Sequence, residues 1–234
     1  MTTGVRRTSA PFPSYPHEVL AVVLSVRDGR LGVLLWRRAQ APQSGRWALP
    51  GGGVEPTERL RAAINRHLAA KVDVRELAHL EQLATHSAVR RDPRGRVLAT
   101  AYLGLVPVDV EPHLPADTRW HPVDALPTTA FDHHHFIAAA VERLRAKLSY
   151  TNLGFALAPR EFTIGALRRI YSAALGYEID ATNLNRVLTR RRVIEPTDRT
   201  APSGQSGGRP ATIYRFCERE LTVTDPFAAL RPPH

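Results

Sequence analysis

The segment WALPGGGVEPTERLRAAINRHLAAKVDV, residues 47–74, constrains this chain more than any other. A glycine run, Gly51-Gly52-Gly53, leads into residues whose apolar members Leu60, Ala63, Ile64 and Leu68 recur at helical spacing. Pro56 suits the first turn of that helix, where its missing N–H would go unused anyway. A helix with one apolar face needs a layer to pack on, and the flanking sequence offers strands. EVLAVVLSV (18–26) and RLGVLLWRR (30–38) surround Arg27-Asp28-Gly29-Arg30, a hairpin signal. LEQLATHSAVRR (80–91) and RVLATAYLGLVPV (96–108) surround Asp92-Pro93-Arg94-Gly95, which reads as a second hairpin. HHHFIAAAVERLRAKL (133–148) is an amphipathic helix pattern. Residues 17–150 are therefore expected to form a mixed α/β domain, an α/β/α sandwich. Residues 1–16, rich in Pro, Ser and Thr, are expected to be a flexible N-terminus.

After Leu148 the pattern changes. FTIGALRRIYSAALG (162–176) carries a Thr cap, a Gly stop and inward positions Ile164, Leu167, Ile170 and Leu175. YEID makes a short turn into ATNLNRVLTRRRV (181–193), with Leu184, Val187 and Leu188 apolar. IEPTDRTAPSGQSGGRPATIYRF then reads as strand, long loop, strand. Two helices joined by a tight turn and followed by a hairpin predict a winged helix-turn-helix over 151–225, with 226–234 a tail. The pattern alone also fits a small α+β cap with no nucleic-acid role.

The net charge is +10, and Lys stands only at 71 and 147, so 30 of 32 basic residues are Arg. GC-rich codon usage accounts for much of that bias. Arg is nevertheless the side chain suited to bidentate contacts with phosphate and guanine edges. The single Cys217 excludes an intrachain disulfide and a Cys-based zinc site, which fits a reducing, cytoplasmic setting. Prolines follow Arg6-Arg7 where a signal peptide would place an apolar core, and no apolar run approaches the ~20 residues of a membrane span.

A hydrolase acting on a diphosphate needs divalent cations, and Mg²⁺ needs oxygen ligands. Carboxylates at i, i+3 and i+4 of a helix share one face and can hold such metals. The segment from Gly52 resembles the Nudix box, G-x5-E-x7-R-E-U-x-E-E-x-G-U, where U is a bulky aliphatic residue. Gly52, Glu58, Arg66, Leu68 and Val74 match it, whereas His67, Ala70 and Lys71 stand at the metal-binding Glu positions and Asp73 at the final Gly. Ala70 offers no ligand, Lys71 puts a cation where the family has an anion, and imidazole suits Mg²⁺ poorly. Efficient hydrolysis is not expected, and no catalytic or metal-ligating residue is assigned. The alternative is an atypical hydrolase of ADP-ribose or a related dinucleotide that uses Glu58.

Two further stretches, TAFDHHHFIAAAVERLRAKLSYTNLGFALAPREFTIGALRRIYSAALG and GRPATIYRF, resemble the Nudix-related transcriptional regulators of the NrtR type. The resemblance covers roughly residues 18–216. It implies a homodimeric repressor of NAD biosynthesis or salvage genes, in which ADP-ribose bound to a catalytically silent Nudix-like domain relieves DNA binding. It also implies double-stranded DNA with a palindromic operator as partner, a nucleotide effector and no cofactor. A third reading, a ligand-sensing module whose C-terminal domain binds protein, stays open. For the effector, Arg37, Arg38, Trp47, Glu58, Asp132 and His133 are the candidates, by charge, stacking and position; Trp47 suits a core place equally. For DNA, the candidates are Thr182, Asn183, Asn185, Arg186, Thr189, Arg190 and Arg192, with Arg209 in the wing.

Overall fold

The computed structural model describes residues 14–201 and 210–225. β1 (His17–Arg27) and β2 (Arg30–Arg37) form the first hairpin, closed by Asp28 and Gly29 at φ 49° and 72°. Two consecutive positive-φ residues give the turn the twist that tight hairpins favour. β3 (Trp47–Ala48) and β4 (Gly51–Gly53) flank the loop Leu49-Pro50, and α1 (Leu60–Val72) follows. β5 (His79–His86), β6 (Leu98–Leu105) and β7 (Thr118–Pro122) complete a seven-stranded mixed sheet, before α2 (His133–Tyr150). The central path runs β3-β2-β1-β6-β5, with β4 on β1 and β7 on β2. β1 pairs β6 in parallel, so their connection must cross a face of the sheet, and α1 lies in that crossover.

β1 shows why the sheet is covered twice. Val19, Ala21 and Val23 pack with Ala63, Ile64 and Leu68 of α1. Leu20, Val22 and Leu24 pack with Phe136, Ile137, Ala140 and Leu144 of α2. Alternation along one strand feeds two apolar cores, which makes the α/β/α sandwich.

The second unit starts from the short 3-10 helix Leu153–Ala156. β8 (Phe162–Thr163), α3 (Ile164–Leu175), α4 (Ala181–Arg190), β9 (Ile194–Ala201) and β10 (Ala211–Phe216) follow, with sheet order β8-β10-β9. The Thr163 hydroxyl accepts from the Ala166 N–H, and Gly176 ends α3 at φ 84°. Asp180 caps α4 through the Asn183 N–H. Leu167, Ile170, Leu184, Leu188, Ile194 and Phe216 belong to the same buried cluster as Leu144 and Leu148 of α2. The winged helix thus shares an apolar core with α2.

Three expectations need correction. Pro56 is not in the first turn of α1, which begins at Leu60 after a turn through residues 56–57. β5 and β6 pair antiparallel as the second hairpin requires, but Asp92-Pro93-Arg94-Gly95 alone does not join them; the connection runs from His86 to Leu98, with Arg91 drawn into the protein. The helix proposed to run to 193 ends at Arg190, with Arg192 left-handed at φ 54°. The suggested flexible N-terminus, but for residues 14–16, and the tail lie outside the described residues, as does Arg209.

Candidate functional site

The glycine loop is built by contact on both sides. A Cβ on Gly51 would stand 2.0 Å from the Val19 carbonyl oxygen, and one on Gly52 would stand 2.6 Å from the His67 ring. Only glycine lets β4 lie this close to β1 and α1. Helix α1 then turns its polar positions onto that loop. His67 Nε2 is 2.9 Å from the Gly53 carbonyl, Lys71 Nζ donates to the Gly51 carbonyl at 2.6 Å, and Arg66 donates to the Gly53 carbonyl at 3.2 Å. At two of the three positions where the Nudix pattern places carboxylates, which accept, this chain places side chains, His67 and Lys71, that donate to backbone carbonyls. Asp73 ends α1 at φ 51°, doing at some strain what the family's glycine does freely.

Glu58 serves the same loop. Arg66 grips both its oxygens at 2.8 and 2.6 Å, and that hydrogen bond holds the Glu58 carboxyl down to about 2.

Beside the loop lies a cleft of about 370 Å³, lined by Glu18, Trp36, Arg38, Lys71, Arg94, Phe131 and His133 with the glycines. Its cations crowd one another. Burial lowers the Lys71 ammonium's pKa and Arg38 lowers it further; burial and then Arg94 lower that of Arg38. Two rings of the cleft face a cation: Lys71 Nζ is 4.5 Å from the Trp36 ring centre, and the Arg38 guanidinium is 4.9 Å from that of Phe131. His133 is buried, and its Nδ1 accepts from the Leu49 N–H at 3.0 Å. Burial pushes its pKa down to about 3, so the imidazole is neutral and an acceptor at Nδ1.

The sequence candidates divide across the sheet. Arg38 and His133 line the cleft. Arg37 does not; β2 alternates, and its guanidinium sits 5.3 Å from the Trp47 ring centre. Trp47 packs against the α2-side core and meets His121 edge-on at 4.4 Å, so the indole in the cleft is Trp36. Asp132 lies behind the cleft wall, held by Arg91 at 2.9 and 3.2 Å. The Arg91 side chain, 1% exposed, also bonds Glu18 at 2.6 Å and so ties β1 to the start of α2. Sequence reasoning missed Trp36 and Arg91. Period-2 spacing puts Trp36 on the face of Arg38, a signal that was readable; nothing local marks Arg91.

On the winged helix, Leu184 and Leu188 are buried, while Thr182, Asn183, Arg186, Thr189 and Arg190 are exposed. At about 100° per residue these exposed positions form one stripe opposite the leucines. Arg186 donates to Asn183 at 2.8 Å, and the Thr189 hydroxyl is 3.1 Å from the Asn185 side-chain oxygen, so the stripe is pre-ordered. Arg186, Arg190 and the exposed Arg192 form no ion pair with the described residues, whereas Arg191 is bound to Ser149 and Asp225. Among the described residues, no three His, Cys, Asp or Glu side chains gather as a metal site, and no helix is long and apolar enough to cross a membrane.

A sandwich with a glycine-loop cleft, joined to a winged helix with an exposed basic stripe, defines a ligand-linked DNA-binding regulator as a class. Known proteins agree. Residues 16–141 match the NUDIX domain family and residues 154–216 the NrtR DNA-binding winged helix domain. Over 230 residues the chain is 33% identical to the ADPR responsive transcriptional repressor NtrR of Acinetobacter baylyi, spanning 94% of this chain and 90% of that protein. It superposes on Shewanella oneidensis NrtR complexed with a 27mer DNA with TM-score 0.72 and 31% identity, covering 85% of this chain and 92% of that one. The NUDIX domain of that NrtR complexed with ADP ribose gives TM-score 0.51 and 32% identity over 58% of this chain and 94% of that one. The chain belongs to the NrtR family of Nudix-related transcriptional regulators.

Proposed function

We propose that this protein is a homodimeric transcriptional repressor of NAD biosynthesis or salvage genes, released from DNA by ADP-ribose. Residues 17–150 would sense the nucleotide without hydrolysing it, and residues 151–225 would bind the operator. The observation that carries this reading is α4, whose Thr182, Asn183, Arg186, Thr189 and Arg190 face solvent from a helix anchored by Leu184 and Leu188. Asn and Arg read adenine and guanine edges, and Arg192 stands beside them for phosphate. The relative from Acinetobacter baylyi responds to ADPR by name, and ADP ribose occupies the Shewanella oneidensis NUDIX domain. Lys71, Arg38 and Arg94 give this chain's cleft the charge a diphosphate would meet. Glu58, the residue a hydrolase would use, is already committed to Arg66. In a dimer the two α4 helices would lie about 34 Å apart, or a multiple of it, on a near-palindromic site.

A gel-shift series against the promoters of NAD genes tests this. Preferential binding over random DNA, reversed by ADP-ribose and weakened steeply by salt, is the expected result. Equal affinity for random DNA would remove the repressor reading.

A further inference from the structure

We infer that Lys71 stands in for a metal ion: its ammonium, together with the Arg38 guanidinium, takes the effector's diphosphate directly, and effector binding needs no divalent cation. This rests on the reading of the cleft as the effector site.

The side chains present do not fit a metal. Of the three positions where the Nudix pattern supplies carboxylates, Ala70 has no ligand atom and Lys71 carries a positive charge. His67 Nε2 is engaged by the Gly53 carbonyl. Both oxygens of Glu58 are gripped by Arg66, whose Nη2 also lies 3.7 Å from Glu55. A hard cation prefers several oxygen ligands, and it would be repelled by the ammonium.

Lys71 fits the other role. Half-buried on the last turn of α1, it lines the cleft and is fixed by the Gly51 carbonyl and the Trp36 ring. An ammonium has three N–H donors, and the Gly51 carbonyl takes one, so two are left for an anion. The cleft gathers Lys71 and Arg38 against one lining carboxylate, Glu18, which is itself bound to Arg91; the third lining cation, Arg94, is paired with Asp92. Partial burial depresses the pKa of both Lys71 and Arg38, and repulsion adds to it, from Arg38 on Lys71 and from Arg94 on Arg38. A diphosphate placed between them relieves that repulsion, as a metal does in a carboxylate cluster. The loss of the acids and the gain of Lys71 are then one change: the charge that a hydrolase borrows from a cation is carried by the chain.

Calorimetric titration of the full-length protein with ADP-ribose, in EDTA and then in excess Mg²⁺, tests this, with inorganic pyrophosphate as competitor. The expected results are equal affinity in both buffers, competition by pyrophosphate in EDTA, and a loss of about tenfold or more in Lys71→Met, as for a missing charge-assisted hydrogen bond. Lys71→Arg should retain most of the binding, and Lys71→Glu should bind only when Mg²⁺ is added. Operator binding without effector shows that each variant is folded. Binding that EDTA abolishes, wild-type affinity in Lys71→Met, no competition by pyrophosphate, or no binding of ADP-ribose in either buffer each overturns the inference. If ADP-ribose binds metal-free through Lys71 yet leaves DNA binding unchanged, the inference stands and the effector reading falls.

Discussion

Helices α1 and α4 handle their polar residues in opposite ways. On α1, Arg66, His67 and Lys71 turn back onto the glycine loop and bond its carbonyls or Glu58. On α4, Thr182, Asn183, Arg186 and Arg190 face water, with Arg186 donating to Asn183 within the stripe itself. Polar groups consumed inside a fold hold a shape; polar groups left outside it await a partner. The contrast explains how a Nudix frame persists without its acids. Its arginine and its Glu58 clasp each other and the loop, a role that does not depend on those acids.

The largest expected effect lies on the inward side. Arg91→Met would leave Glu18 and Asp132 facing each other across a buried site without their cation, at a cost of about 3–5 kcal/mol. Thermal melting should fall by many degrees, while molecules that remain folded keep their operator sequence preference. A melting point like that of the wild type would show that the cleft wall does not depend on this network.

Acid should act through His133 next. Its pKa is lowered from 6.5 to about 3, so the unfolded state binds the extra proton first, and stability present above pH 6.5 is lost as pH falls toward 3. The carboxylate Glu81, held down to about 2, loses its contribution only below its ordinary 4.5. Between pH 6.5 and 4.5 the decline in melting temperature should therefore be shallower in His133→Gln than in the wild type. His67 and His121, also lowered by burial, supply what slope remains.

The outward side should show the reverse behaviour. Arg186→Ala is expected to weaken specific operator binding by about 1–3 kcal/mol and relax the preference at one base pair, with melting unchanged. Unchanged operator affinity would take α4 out of base reading. The smallest effect belongs to Thr163→Ala, which removes the cap of α3 and should destabilise the winged helix by about 1 kcal/mol.

The winged helix was largely readable because its signals are local. Thr163, Gly176 and Asp180 mark helix ends within a turn of where they act. The hairpin at Asp28-Gly29 carries its own turn chemistry. The misplaced features depend on distant partners. Helix α1 starts at Leu60 rather than near Pro56 because the preceding loop is closed by Arg66, on the far side of the helix start. Its N-cap position is Arg59, which gives no capping bond and so no sequence cue. The second hairpin formed, since β5 pairs β6 antiparallel, but its connection is longer than Asp92-Pro93-Arg94-Gly95 because Arg91 reaches Glu18 and Asp132, residues 73 and 41 positions away. In the cleft, the substitution Lys71 was visible, but its donation to the Gly51 carbonyl was not. Trp47 and Trp36 could be separated only once the sheet showed which face of β2 opens onto the cleft.

The central claim is that the cleft and α4 answer to one another. Fluorescence anisotropy of a labelled NAD-gene promoter fragment bound to the full-length protein, titrated with ADP-ribose in EDTA, tests it most directly. The account predicts a saturable fall in anisotropy as DNA is released. Anisotropy that stays constant while calorimetry records ADP-ribose bound would contradict it.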